Sequence, residues 1–228
     1  MGVPTENSQA KRDTTAVRDD AACSSGFDSS DDDQEPVDKS PFQIDWLDLS
    51  EYGIAEKLGI SGLPGCRFDD TWRSMESDIN GLISQGVEDV FVLCTRGELN
   101  KYRVRRLMQE YTTAGLSVHH YPFPAGLVPS PANCMKMLEE IRINLNAGTG
   151  TLVHCFGGIG RSSLIIACLL LMLDDYMEWK DAIAKVRQLK GSRAIQTVKQ
   201  YNFVSDFRKM REEYEATRPD GDRRSISR

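Results

Sequence analysis

The chain reads as an α/β fold, a central and mostly parallel sheet with helices on both faces, and three observations predict it. Short apolar runs suited to buried strands alternate with segments of helical spacing. Glycines and capping residues mark the changes from one to the other. The order strand, helix, strand, helix, strand, helix is the signature of a parallel sheet with covered faces.

The elements follow in order. Residues 1–40 carry ten acids against four bases, the whole of the net charge of −6. They hold almost no large apolar side chains, so they cannot offset the entropy of ordering, and a disordered acidic tail is expected. Residues 42–47 alternate as an early strand would. Asp69 and Asp70 are expected to cap a helix with Trp72, Met75, Ile79, Leu82 and Ile83 on one face, stopped by Gly86. Residues 90–94, Val-Phe-Val-Leu-Cys, suit a strand buried on both faces. A helix is expected from there to Gly115, then a strand over residues 116–121. Ser130 and Pro131 are cap and first-turn proline of a helix whose core face is Cys134, Met137, Leu138, Ile141 and Leu145. Residues 151–154 form one more strand, and a helix runs from Arg161 to about Asp175. Two helices close the domain, which spans residues 41–215. One turns Ala182, Ile183, Val186 and Leu189 inward; the other carries Phe203, Phe207, Met210 and Tyr214. Residues 216–228 are expected to form a second disordered tail. Loops leaving the carboxyl ends of parallel strands share one edge of the sheet, so residues 95–98, 122–129 and 155–160 should converge there.

Composition narrows the function. Residues 41–228 are electrically neutral overall, which argues against nucleic acid as a partner. The six cysteines are scattered with no metal-binding spacing, so neither metal nor other cofactor is expected. The longest apolar run, Leu164 to Leu173, is ten residues, too short to span a membrane. With no secretory leader in the sequence, a soluble monomer in the cytosol, the nucleus or both is expected.

The chemistry resides in His154-Cys155-Phe156-Gly157-Gly158-Ile159-Gly160-Arg161-Ser162. A cysteine six positions before an arginine arises by chance about 0.4 times in such a chain, so the pair alone decides nothing. The glycines, the flanking His and Ser, and the place between a strand and a helix make the run specific. A phosphate dianion needs several donors at once. The backbone N–H groups of residues 156–160 can turn inward around it, and the first turn of the next helix adds its own. Arg161 can grip two phosphoryl oxygens with its planar fork. The same positive field favours the thiolate of Cys155 as nucleophile. His154 is expected to fix the loop by hydrogen bonding, and Ser162 to donate to the sulfur.

Here the sequence resembles the protein tyrosine and dual-specificity phosphatases. Within them it is most similar to the kinase-associated, or cyclin-dependent kinase inhibitor 3, group. The similarity covers about residues 40–212 and includes Trp46-Leu47, Leu63-Pro64-Gly65-Cys66, residues 94–99, Lys101-Tyr102-Arg103-Val104 and Ala194-Ile195-Gln196-Thr197. The resemblance implies a protein tyrosine phosphatase-like fold and hydrolysis of phosphothreonine and phosphotyrosine through a phosphocysteine. It implies a phosphorylated cyclin-dependent kinase as partner, and Gln196 as the residue orienting water in the second step. One departure matters. Where that group has Pro-x-Ala-Asp-Gly, with the Asp as general acid, this chain has Pro122-Phe123-Pro124-Ala125-Gly126, and no Asp occurs between Asp89 and Asp174. Glu98 is the expected local substitute, with His119 and His120 behind it. A different reading follows from the same gap: a phosphatase-fold module that captures phosphorylated kinase and turns it over poorly. Lys101, Arg103, Arg105 and Arg106 offer a docking patch under either reading.

Overall fold

The computed structural model describes residues 37–68 and 71–217. The expected acidic tail therefore lies outside the described residues as far as residue 36, and so do residues 218–228 of the second tail. Residues 37–40 are described. Asp38 and Ser40 are held by Arg73, which also grips the buried Asp78 with two of its nitrogens.

The chain forms β1 (Asp45–Leu47), a 3-10 turn at Ser50–Tyr52, β2 (Leu58–Ser61) and the two-residue strands β3 (Arg67–Phe68) and β4 (Thr71–Trp72). Then come α1 (Met75–Ser84), β5 (Asp89–Val92), α2 (Arg96–Lys101), α3 (Leu107–Thr113), β6 (Ser117–His120) and α4 (Pro131–Asn146). The last are β7 (Thr151–His154), α5 (Arg161–Leu173), α6 (Trp179–Lys190), α7 (Val198–Ser205) and α8 (Phe207–Thr217). One sheet runs in the order β1-β2-β7-β5-β6. All its neighbours are parallel except β1 with β2. Every residue of β2 and β7 is buried, so both faces of the sheet's centre are covered.

The register matters for the site. Ser61 of β2 and Val92 of β5 both lie opposite His154 of β7, so three chains leave the sheet level with one another. Helix α5 is the most buried helix, with residues 161–171 all inside, as its unbroken apolar run requires.

Four local expectations are corrected. The first helix is capped by Ser74, which accepts from the Ser77 amide, and Trp72 lies in β4. Asp69 and Asp70 are outside the described residues. The segment ending at Gly115 is two helices, because Arg103 takes a left-handed backbone at φ 60°. The closing helix likewise breaks at Asp206. Strand β2 was not legible at all. It has only four residues, and Gly59 interrupts its apolar pattern. A Cβ at Gly59 would meet Ile44 Cγ2 and Leu152 Cδ1 at 2.9 Å, so a larger residue there would make these side chains shift.

Candidate active site

The loop joining β7 to α5 is built as its sequence requires. Gly158 has φ +64°, and a Cβ on it would lie 2.6 Å from the Ser61 carbonyl oxygen. Both backbone freedom and close approach therefore demand glycine there. The Phe156 carbonyl accepts from the Leu63 amide at 2.9 Å, which fastens the loop to the end of β2. Gly160 caps α5 with no side-chain cap, so the first amides of that helix are left for a ligand.

Arg161 is 3% exposed and spans the convergence of loops that the sequence predicts. Its Nη1 donates to the carbonyls of Leu93 (3.0 Å) and Phe123 (2.8 Å) and to Glu98 Oε2 (2.8 Å). Its Nη2 donates to Glu98 Oε1 at 2.7 Å and points at Cys94 Sγ, 3.8 Å away. Glu98 is therefore not the free acid expected of it. The same carboxylate accepts from the amide and hydroxyl of Thr95 at 2.8 and 2.9 Å, closing a capping box at the start of α2. Burial alone would raise its pKa. The bonds from Arg161 and Thr95 outweigh that, and the net direction is down. Glu98 is a charged positioning residue for the Arg161 fork. The Thr95-x-x-Glu98 spacing was the signal that its carboxylate was already committed.

The other expected proton donors are also engaged. His119 lies between Asp89 (2.7 Å) and Glu140 (3.2 Å), stacked on Phe91. His120 Nε2 is 2.9 Å from the Cys94 carbonyl oxygen. Ala125 is exposed on its loop. Burial pushes the Cys94 thiol up to about 12 despite Arg161 nearby, so Cys94 stays protonated beside the site.

Cys155 is 3% exposed at the base of the loop. His154 is wholly buried, with Nε2 at 3.1 Å from the Tyr111 hydroxyl of α3 and Nδ1 without a hydrogen-bond partner, so its ring makes no hydrogen bond to the loop. Burial pushes its pKa from 6.5 to about 3. The folded state thus refuses a proton that the unfolded chain accepts. The resulting stabilisation is complete above pH 6.5 and is lost as pH falls toward 3, at about 1.4 kcal/mol per pH unit. His154→Gln should flatten this part of the stability–pH curve in denaturant titrations. An unchanged slope would remove His154 as its source. Ser162 is buried, but its hydroxyl makes no hydrogen bond, so the expected donation to the sulfur is not formed.

Gln196 lies against the loop: a Cβ on Gly160 would meet its Oε1 at 2.6 Å. Ile195 precedes it in left-handed backbone at φ 61°, a strained state for a β-branched residue, and its amide donates to the Ile159 carbonyl. Gln200, four residues on, is fully buried and ties this turn together. Its Oε1 accepts from the Gln196 amide (2.9 Å) and its Nε2 donates to the Leu127 carbonyl (3.4 Å). Thr197 Oγ1 donates to the Gly126 carbonyl at 2.9 Å. The loop carrying Ala125 is thus pinned at residues 123, 126 and 127.

The family model described as cyclin-dependent kinase inhibitor 3 matches residues 19–183. A pig cyclin-dependent kinase inhibitor 3 is 48% identical over 184 residues, covering 81% of this chain and 87% of its own length. The human protein of that name is 44% identical over 204 residues, covering 90% and 96%. Among solved structures, a kinase-associated phosphatase with its catalytic-site cysteine replaced by serine superposes with a TM-score of 0.75. It is 43% identical, over 80% of this chain and all of that one.

Proposed function

Since this chain belongs to the cyclin-dependent kinase inhibitor 3 family, we propose that it is a dual-specificity protein phosphatase. Its substrate is a phosphorylated cyclin-dependent kinase, which it dephosphorylates through a Cys155 phosphocysteine. One observation carries the reading: Arg161, the first residue of α5 after the glycine-rich loop that follows Cys155, is buried with its guanidinium held by Glu98. A guanidinium oriented beforehand loses little entropy on meeting a phosphoryl group. A kinase partner and a phosphatase activity are what the names of relatives of similar length carry.

The steps follow from the residues. The Cys155 sulfur attacks phosphorus as the P–O ester bond breaks; a phenol oxygen leaves as an aryl oxide, and an alcohol oxygen takes its proton from water because Ala125 offers none. The amides of Phe156, Gly157, Gly158, Ile159 and Gly160, together with Arg161, hold the three phosphoryl oxygens. Water oriented by Gln196 then attacks phosphorus and releases Cys155. A monomer in the cytosol or nucleus fits this role, and the five described cysteines are free thiols as a reducing compartment requires.

A second reading has its own support. Ala125 replaces the usual acid and Glu98 is bonded to Arg161, so the chain would bind phosphorylated kinase and turn it over poorly. Single-turnover dephosphorylation of phosphothreonine on the kinase, run beside a small aryl phosphate, separates the two. Loss of phosphate from both substrates, slower from the kinase than from the aryl phosphate, supports the enzyme. Aryl turnover without loss from the kinase supports the binding module.

A further inference from the structure

Beside the phosphate loop lies a face of aromatic rings carrying cations. Phe156, from the loop itself, is 36% exposed and stacks on Tyr102 at 4.0 Å between ring centroids. Phe68, 39% exposed, stands edge-on to both rings, at 6.0 and 5.2 Å. Lys101 Nζ is 4.9 Å above the Phe68 ring and 5.6 Å from that of Tyr102. On the neighbouring β3–β4 hairpin, Arg67 and Arg103 both lie over Trp72, at 5.7 and 5.4 Å. The Arg67 amide donates to the Tyr102 carbonyl at 3.1 Å, which joins hairpin and helix end into one surface.

The three cations are exposed, and among the described residues none forms a salt bridge. Arg73, Arg106 and Arg161, by contrast, each carry a carboxylate. Rings beneath a cation hold its stem in place without neutralising it, so less entropy is lost when an anion arrives. A positive rim of this kind, continuous with a phosphate-binding loop, complements a chain that is negative on either side of its phosphate.

We propose that Arg67, Lys101 and Arg103, seated on Phe68, Tyr102 and Trp72, form a docking surface for acidic residues flanking the phosphorylated residue of the substrate protein. The proposal rests on the phosphatase reading above and adds a sequence preference to it.

Two measurements test it. Phosphotyrosine peptides, whose aryl leaving group makes little demand on a general acid, are prepared in matched pairs with acidic or neutral flanks. Their binding to Cys155→Ser and their turnover by the unsubstituted protein are compared. An aryl phosphate serves as the control for basal activity. Acidic flanks should improve both dissociation constant and kcat/KM about tenfold at low salt, the sum of a few exposed ion pairs. The preference should shrink below about twofold near 1 M salt, where screening acts within ~3 Å. It should vanish in Arg67→Gln/Lys101→Met/Arg103→Gln, with aryl phosphate turnover unchanged. Equal binding and turnover of the paired peptides, with aryl phosphate still hydrolysed, would overturn the docking surface alone. A fall in aryl phosphate turnover in the triple variant would assign the cations to the phosphoryl site and overturn it as well. Failure of the unsubstituted protein on every substrate would overturn the phosphatase reading, and the preference with it.

Discussion

Cys155→Ser is expected to abolish turnover, by about 10⁴-fold or more, while phosphorylated substrate still binds. The magnitude is that of losing a covalent nucleophile whose partners act as a unit. A serine hydroxyl is almost wholly protonated at neutral pH, and among the described residues no side chain is hydrogen-bonded to the side chain at 155 that would remove its proton. The donors are untouched, because they are backbone amides of residues 156–160 and the fork of Arg161. The exchange is nearly isosteric at a position 3% exposed, so the fold should hold. Arg161→Lys makes the complementary case. It keeps the charge and loses the fork, so Glu98 and the phosphoryl oxygens lose their two-point contact, and both binding and rate should fall. Binding measured by titration and rate measured in single turnover distinguish the two variants. Appreciable activity in Cys155→Ser would refute the covalent mechanism.

Ala125→Asp is expected to raise phosphothreonine turnover by about 10²–10⁴-fold, the worth of a positioned general acid. Activated aryl phosphates should hardly change, since an aryl oxide leaves readily without a proton. The unsubstituted chain should accordingly favour aryl phosphates. The loop is already placed for this gain. Phe123 holds Arg161 through its carbonyl, and Gly126 and Leu127 are tied to Thr197 and Gln200 beside Gly160. Glu98→Gln supplies the contrast. If Glu98 positions Arg161, the variant should lose activity on both substrate classes alike. A loss confined to phosphothreonine would instead identify Glu98 as the acid. No gain from Ala125→Asp, with no selective loss from Glu98→Gln, would favour a proton donor on the bound kinase.

Several of these placements were legible before any coordinates. The apolar run at residues 151–154 lies in buried β7 and that at 90–94 supplies β5 as far as Val92, with Leu93 and Cys94 past the strand's end, and the Ser130-Pro131 start of α4 stands as read. The convergence of three loops followed from parallel topology and appears as the contacts of Arg161. Other features were illegible for physical reasons. Strand β2 owes its existence to pairing on both sides, not to its own four residues. The break at Arg103 needs a backbone state that an arginine gives no sign of. Glu98 was read as a spare acid because its partner is 63 residues away in sequence.

Local chemistry determined what this protein reacts with. A thiol, a run of glycines and an arginine at fixed spacing can assemble a phosphate site wherever a strand passes into a helix, because the donors belong to the loop's own backbone. Ala125 was equally plain, since a missing carboxylate needs no fold to be noticed. Tertiary structure alone decided which groups remain free to act. Burial keeps His154 neutral and Cys94 protonated, and the Arg161–Glu98 pair removes the nearest acid from proton transfer while fixing the phosphate fork. Those outcomes depend on desolvation and on partners distant in sequence, and both exist only after the chain has folded.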